Sequence, residues 1–237
     1  MDDGAAGRAG LVRFTGGLCV VLAGWNPVVH RLPGSPWSSV VAHVVAAGVL
    51  LTVARRLGLT WGELGLQRRR LPSGAGWGGA CAGLVAAGYA VAVAAPALRP
   101  LLTDARAGGL DGAEVAVEAL VRIPLGTVLW EEVAFRGVLQ AAAARVLPLP
   151  AATALSCAVF GIWHVRPALG GLAANDLADG PLATAAAVLA VCLGTAVAGL
   201  LLTWLRLRSG SLLAPALLHL ATNSLGVLAA ATALRLA

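Results

Sequence analysis

The sequence predicts an all-α protein, a polytopic integral membrane bundle of about seven transmembrane helices. Three observations predict it. Of its 237 residues, 59% are hydrophobic and only 12% are charged, and the mean hydropathy is +0.84; no soluble domain of this length needs so much apolar sequence. Apolar runs of about 20 residues, enough to cross a bilayer as a helix, recur between short Arg-rich or Pro/Gly-rich stretches. Strand periodicity is absent, and Ala, Leu, Val and Gly dominate.

Taken in order, these runs place helices at 10–29, 37–57, 76–97, 115–146, 151–166, 181–205 and 211–234. The first follows Arg8 and Arg13 and runs on toward Val29 with no clear cleavage site, so it is read as a retained helix and not as a signal peptide. Pro33-Gly34-Ser35-Pro36 separates it from the second, which ends at Arg55-Arg56. The third follows Pro72-Ser73-Gly74. The fourth turns into the fifth at Pro148-Leu149-Pro150, making a hairpin, and the sixth closes on Arg206 and Arg208 before the last begins.

The net charge is +6, and every basic residue is arginine. One set of helix ends carries Arg8, Arg13, Arg55, Arg56, Arg68, Arg69, Arg70, Arg145, Arg206 and Arg208. The other carries Arg31, Arg99, Arg106, Arg166 and Arg235, with Asp104, Asp111, Asp176 and Asp179. The positive-inside rule makes the first set cytoplasmic, with the N-terminus inside and the C-terminus outside. The composition suggests a high-GC genome and hence a bacterial cytoplasmic membrane. The arginine distribution accounts for the charge without a nucleic-acid partner; Arg68-Arg69-Arg70 reads as a topology signal meeting anionic lipid. Gly74-x-Gly76-x-Gly78-Gly79 lacks a preceding strand and a P-loop lysine, so it reads as close helix packing. Cys19, Cys81, Cys157 and Cys192 lie singly in apolar segments and read as packing residues. His30 and His43 read as interface or packing residues.

The informative residues are polar ones inside the apolar helices. A carboxylate at membrane depth is costly and marks a working site by default. Glu131 and Glu132 are adjacent in the fourth helix, and Glu132 is one turn before Arg136, with which it can pair. Glu131 lies about 100° around the helix from Glu132 and can face a different cavity. That gives one structural and one working glutamate. Phe160 and His164 share a face of the fifth helix, and His219 and Asn223 share one of the last. Counted from the hairpin turn, Glu131 and His164 sit at similar heights, about 22 to 27 Å away, and His219 can reach the same depth. The plain alternatives are a His164–Trp163 anchor at the membrane interface and a His219 that only bonds a neighbouring helix. Arg122 and Glu118 read as a structural pair.

These groups suit hydrolysis. A desolvated glutamate is a stronger general base. Glu131, aided by His164, can deprotonate a water, while His219 and Asn223 donate to a tetrahedral oxyanion. A zinc variant would use Glu131, His164 and His219 as ligands. The helical H-E-x-x-H pattern is missing, and the metal-free route is preferred. Ser156, Cys157 and Ser224 lack a well-placed base and are less suited as nucleophiles.

Glu131-Glu132-x-x-x-Arg136, Phe160-x-x-x-His164 and His219-x-x-x-Asn223, in that order over about 95 residues, resemble the CPBP family of intramembrane proteases, which includes CAAX prenyl endopeptidases and bacteriocin-processing or self-immunity proteins. Trp61-Gly62-Glu63-Leu64-Gly65-Leu66 is similar to a short segment often found before that core. The resemblance implies residues 111–237 as the catalytic membrane core, preceded by N-terminal membrane helices and loops at 1–110. It implies Glu131 as catalytic carboxylate, His164 as its partner, and His219 and Asn223 on the oxyanion side. It also implies a cavity open toward the cytoplasmic leaflet. The expected activity is an intramembrane endopeptidase acting on a membrane-associated peptide or protein, with membrane lipid as its surroundings. The alternative is a catalytically silent scaffold or self-immunity protein of the same fold. A transporter would need two matching broken helices in repeated halves, which are absent.

Overall fold

The computed structural model describes residues 2–236, with side chains from residue 7 onward. Among these the regular structure is helical throughout. The long elements are α1 (Asp2–Val29), α2 (Trp37–Arg56), α3 (Leu71–Ala94), α4 (112–146), α5 (Leu149–Trp163), α6 (Val165–Ala174), α7 (Pro181–Ser209) and α8 (Leu213–Arg235). Short 3₁₀ turns occupy Arg68–Arg70 and Pro96–Leu102. Six segments are long and apolar enough to cross a membrane: Gly7–Val29, Trp37–Arg56, Arg68–Ala94, Leu149–Ala174, Pro181–Ser209 and Leu213–Arg235. With α4 they make the expected bundle.

α4 is the axis. α2 packs along its middle, α1 along its end, α5 folds back beside it, and α8 crosses its first half. Every residue from Trp130 to Ala143 is buried. α4 starts at a capping box, in which Asp111 accepts from the Glu114 amide and Glu114 accepts from the Asp111 amide. Glu118–Arg122, Pro124–Val128 and Glu132–Leu139 are π-helical. Pro124 removes a backbone donor in mid-helix, and wider winding of this kind is frequent at functional sites.

The helix limits differ from the sequence reading in physically simple ways. α3 begins five residues earlier than the expected 76, because Pro72 is tolerated in a first turn. α5 stops at Trp163: the His164 amide bonds back three residues to Gly161, and helix resumes at Val165 despite Pro167 and Gly170-Gly171. α7 continues to Ser209 and is closed by Gly210 at φ +69°, the left-handed cap that glycine takes without strain.

Two close approaches fix the bundle. α3 runs along α8 with Gly74 and Gly78 at the crossing; a Cβ on Gly78 would fall 2.7 Å from the Ala214 carbonyl oxygen. Gly76 and Gly79 of the same run meet nothing. α5 packs on α7, where a Cβ on Gly161 would lie 2.7 Å from the Cys192 carbonyl oxygen. All four cysteines are free thiols.

The loop between α2 and α3 braces one end of the molecule. Arg145, near the end of α4, donates to Glu63 Oε2 at 2.9 Å and to the Gly58 carbonyl at 3.2 Å. Arg206 of α7 donates to the carbonyls of Gly62 and Glu63 at 3.2 and 2.6 Å. The Leu212 amide bonds the Gly65 carbonyl at 2.8 Å. The Glu63-Leu64-Gly65-Leu66 segment thus ties α4, α7 and α8 together.

Candidate functional site

The site is built where α4, α5 and α8 meet. Glu131, Glu132 and Arg136 are all buried in α4, with 5%, 1% and 1% of their surface exposed, and His219 of α8 is 7% exposed. Such groups are stable at this depth only when paired. Glu132 Oε1 is the shared acceptor: Arg136 Nη1 donates to it at 3.1 Å, and His219 Nδ1 lies 2.8 Å away. The Arg136 guanidinium also sits 3.9 Å from the centre of the Phe160 ring, a cation–π contact. Gly199 of α7 leaves room for it, since a Cβ there would come within 3.3 Å of Nη2.

Glu131 is held separately. Its Oε1 accepts the indole N–H of Trp163 at 2.9 Å. Its Oε2 is buried without a hydrogen-bond partner among the described residues and lies 3.8 Å from His219 Nε2. Trp163 is itself located from behind: the Asn26 side-chain amide of α1 donates to its carbonyl at 2.9 Å. Trp25, His43, Trp130 and Trp163 form an aromatic cluster, with His43 stacked on Trp130 at 5.7 Å between ring centres and an 11° interplanar angle.

The expectation that the two glutamates face different cavities does not hold. The imidazole of His219 meets both, one with each ring nitrogen. Their separation around the helix is bridged because the ring is wide enough to span it. The Glu132–Arg136 and Glu118–Arg122 pairs are present as expected. Phe160 and His164 do share a face: the rings lie 4.5 Å apart, edge to face, and His164 Nδ1 is 2.8 Å from the Phe160 carbonyl. A carbonyl oxygen only accepts, so Nδ1 is the donor in that contact. Among the described residues, neither His164 nor Asn223 makes a hydrogen bond or ion pair with either glutamate. Asn223 is half-buried one turn beyond His219.

Trp163 as a donor to Glu131 was missed by sequence reasoning, which considered it only as part of an alternative interface anchor with His164. The available signal was that a buried indole N–H seeks an acceptor, and a carboxylate was expected at similar height. The zinc set of Glu131, His164 and His219 is not assembled. No group of three or more His, Cys, Asp or Glu side chains among the described residues is placed to hold a metal ion.

Fold and site define a polytopic membrane protein with a buried carboxylate–imidazole centre. Residues 114–225, which contain all of that centre, match the family described as type II CAAX prenyl endopeptidase Rce1-like. The match covers 112 of the 237 residues, just under half of the chain, and marks this stretch as similar to that family. No curated protein and no solved structure matches the chain.

Proposed function

We propose that the protein is an intramembrane endopeptidase that hydrolyses a peptide bond with a water activated by Glu131. The observation that carries this is the buried, unpartnered Glu131 Oε2 facing His219 Nε2 across 3.8 Å. That gap is too long for a direct hydrogen bond, and a water to one side reaches both atoms. Glu131 takes a proton from the water as its oxygen attacks the scissile carbonyl carbon. The tetrahedral oxyanion forms, the C–N bond breaks, and Glu131 returns the proton to the leaving nitrogen.

The remaining residues have supporting parts. Trp163 fixes the Glu131 carboxylate in one rotamer by holding Oε1. Arg136 and Glu132 orient His219 from its Nδ1 side, so that Nε2 addresses the water. Asn223 and the outer nitrogen of His164 supply polar groups to the substrate, on the oxyanion side and beside Glu131 respectively. The substrate is a peptide or protein segment presented from the membrane, and the chain sits with its arginine-rich ends in the cytoplasm. A silent scaffold of the same fold is not favoured by any feature of the site.

The test uses purified protein in detergent, incubated with a membrane-peptide library in ¹⁸O-enriched water. Mass spectrometry then seeks new C-termini carrying the label. Labelled termini made by wild type and missing with Glu131→Gln support the reading; a library left uncut by folded wild-type protein, or cut equally by Glu131→Gln, contradicts it.

A further inference from the structure

We propose that α2 and the loop after it form a binding site for one anionic phospholipid, whose phosphate is held by Arg55 and Arg56 beside Trp61. The site lies away from the glutamates and does not depend on the proposed activity. Leu51, Thr52, Arg55, Arg56 and Trp61 line a cavity of about 470 Å³ at the arginine-rich end of α2. Both arginines therefore border one open surface pocket, and neither has an acidic partner within ion-pair distance among the described residues. Arg55 is preset: it donates to the Leu59 carbonyl and stands 4.8 Å from the centre of the Trp61 ring. Trp61 remains 48% exposed, as an indole at a lipid headgroup would be.

The helix face below the cavity supplies the other half of the ligand's chemistry. Val41, Val45 and Val49 are 61%, 59% and 57% exposed. They recur every fourth residue and so form one stripe, which Val53 continues and Arg56 ends. From Val41 to Arg56 the stripe rises about 22 Å, which is about half the thickness of a bilayer with its headgroups. An acyl chain can lie along the valines while the phosphate reaches the guanidiniums. A free phosphate would use only the upper end, so the continuous apolar track is what favours a lipid.

The test is native mass spectrometry of the full chain in detergent, titrated with phosphatidylglycerol or phosphatidylcholine, with inorganic phosphate as competitor. Wild type is expected to retain phosphatidylglycerol in preference to phosphatidylcholine. A guanidinium near a charged membrane surface contributes enough that Arg56→Gln weakens this retention about five-fold, and the Arg55→Gln/Arg56→Gln pair about twenty-five-fold. Arg56→Gln alone keeps the proposal testable if loss of Arg55 unfolds the loop, since Arg56 makes no side-chain hydrogen bond among the described residues. Arg31→Gln, at the opposite end of the bundle, should change nothing. Equal retention by wild type and Arg56→Gln, an equal loss in Arg31→Gln, or displacement of the lipid by inorganic phosphate would overturn it.

Discussion

His219 and Glu132 are joined across two helices by a 2.8 Å contact from Nδ1 to Oε1, which turns the other ring nitrogen toward Glu131. Glu132 is thereby more than the partner of Arg136. It holds an arginine and a histidine on one carboxylate oxygen, and its position decides where the imidazole points. The chain of contacts runs from Arg136 through Glu132 and His219 to the open oxygen of Glu131.

Glu131→Gln keeps size and removes the base. Cleavage is expected to fall about a hundred-fold or more, with the detergent melting temperature close to wild type. A melting curve beside a cleavage assay checks both halves.

Arg136→Ala leaves Glu132 buried without its cation. Breaking a buried pair from one side costs about 3–5 kcal/mol, so yield and thermal stability should drop sharply. Glu132→Gln should lower both stability and kcat, since it also loosens His219. A Glu132→Gln protein with wild-type kcat would show that His219 needs no such support.

Trp163→Phe deletes the indole N–H while keeping the ring. Hydrogen bonds to charged groups are worth about 1.5–3 kcal/mol, so kcat should fall roughly ten- to a hundred-fold with KM little changed. Steady-state kinetics on any cleaved peptide separates the two constants.

Gly65→Ala tests the loop that ties three helices. Gly65 has φ +76°, and an added Cβ would collide with the Arg206 guanidinium. A left-handed alanine alone costs about 1–2 kcal/mol, and displacing Arg206 adds to it. Thermal unfolding should show a lowered midpoint, whereas Gly76→Ala, with open space around it, should not.

The same loop carries a pH dependence. Hydrogen bonding from Arg145 holds the Glu63 carboxyl down at about 2, from an ordinary value of 4.5. A depressed carboxylate contributes stability above its unfolded value and loses it as pH falls through the folded one. The contribution is modest because both side chains are partly exposed. The melting difference between wild type and Glu63→Gln should be constant above about pH 5 and shrink progressively from there toward pH 2.

The fold class could be read directly, because apolar runs of membrane length are a strong signal and the arginines mark their ends. The i,i+4 pairs Glu132–Arg136 and Phe160–His164 were also legible, since helical periodicity fixes which residues share a face. Contacts between helices were not. Spacing along α4 put Glu131 and Glu132 in different directions, and only the placement of α8 shows that one imidazole reaches both. Trp163 was hidden for the same reason: its role depends on the break at His164 and on Asn26 from a distant helix. The brace formed by Glu63 joins residues more than eighty positions apart, which no local pattern reveals.

The most direct test of the central claim compares protein termini in membranes of cells carrying wild type or Glu131→Gln at equal abundance. Termini at or near the membrane are expected to appear with wild type and vanish with the variant. Identical termini in both, with Glu131→Gln still rescuing the deletion phenotype, would contradict it.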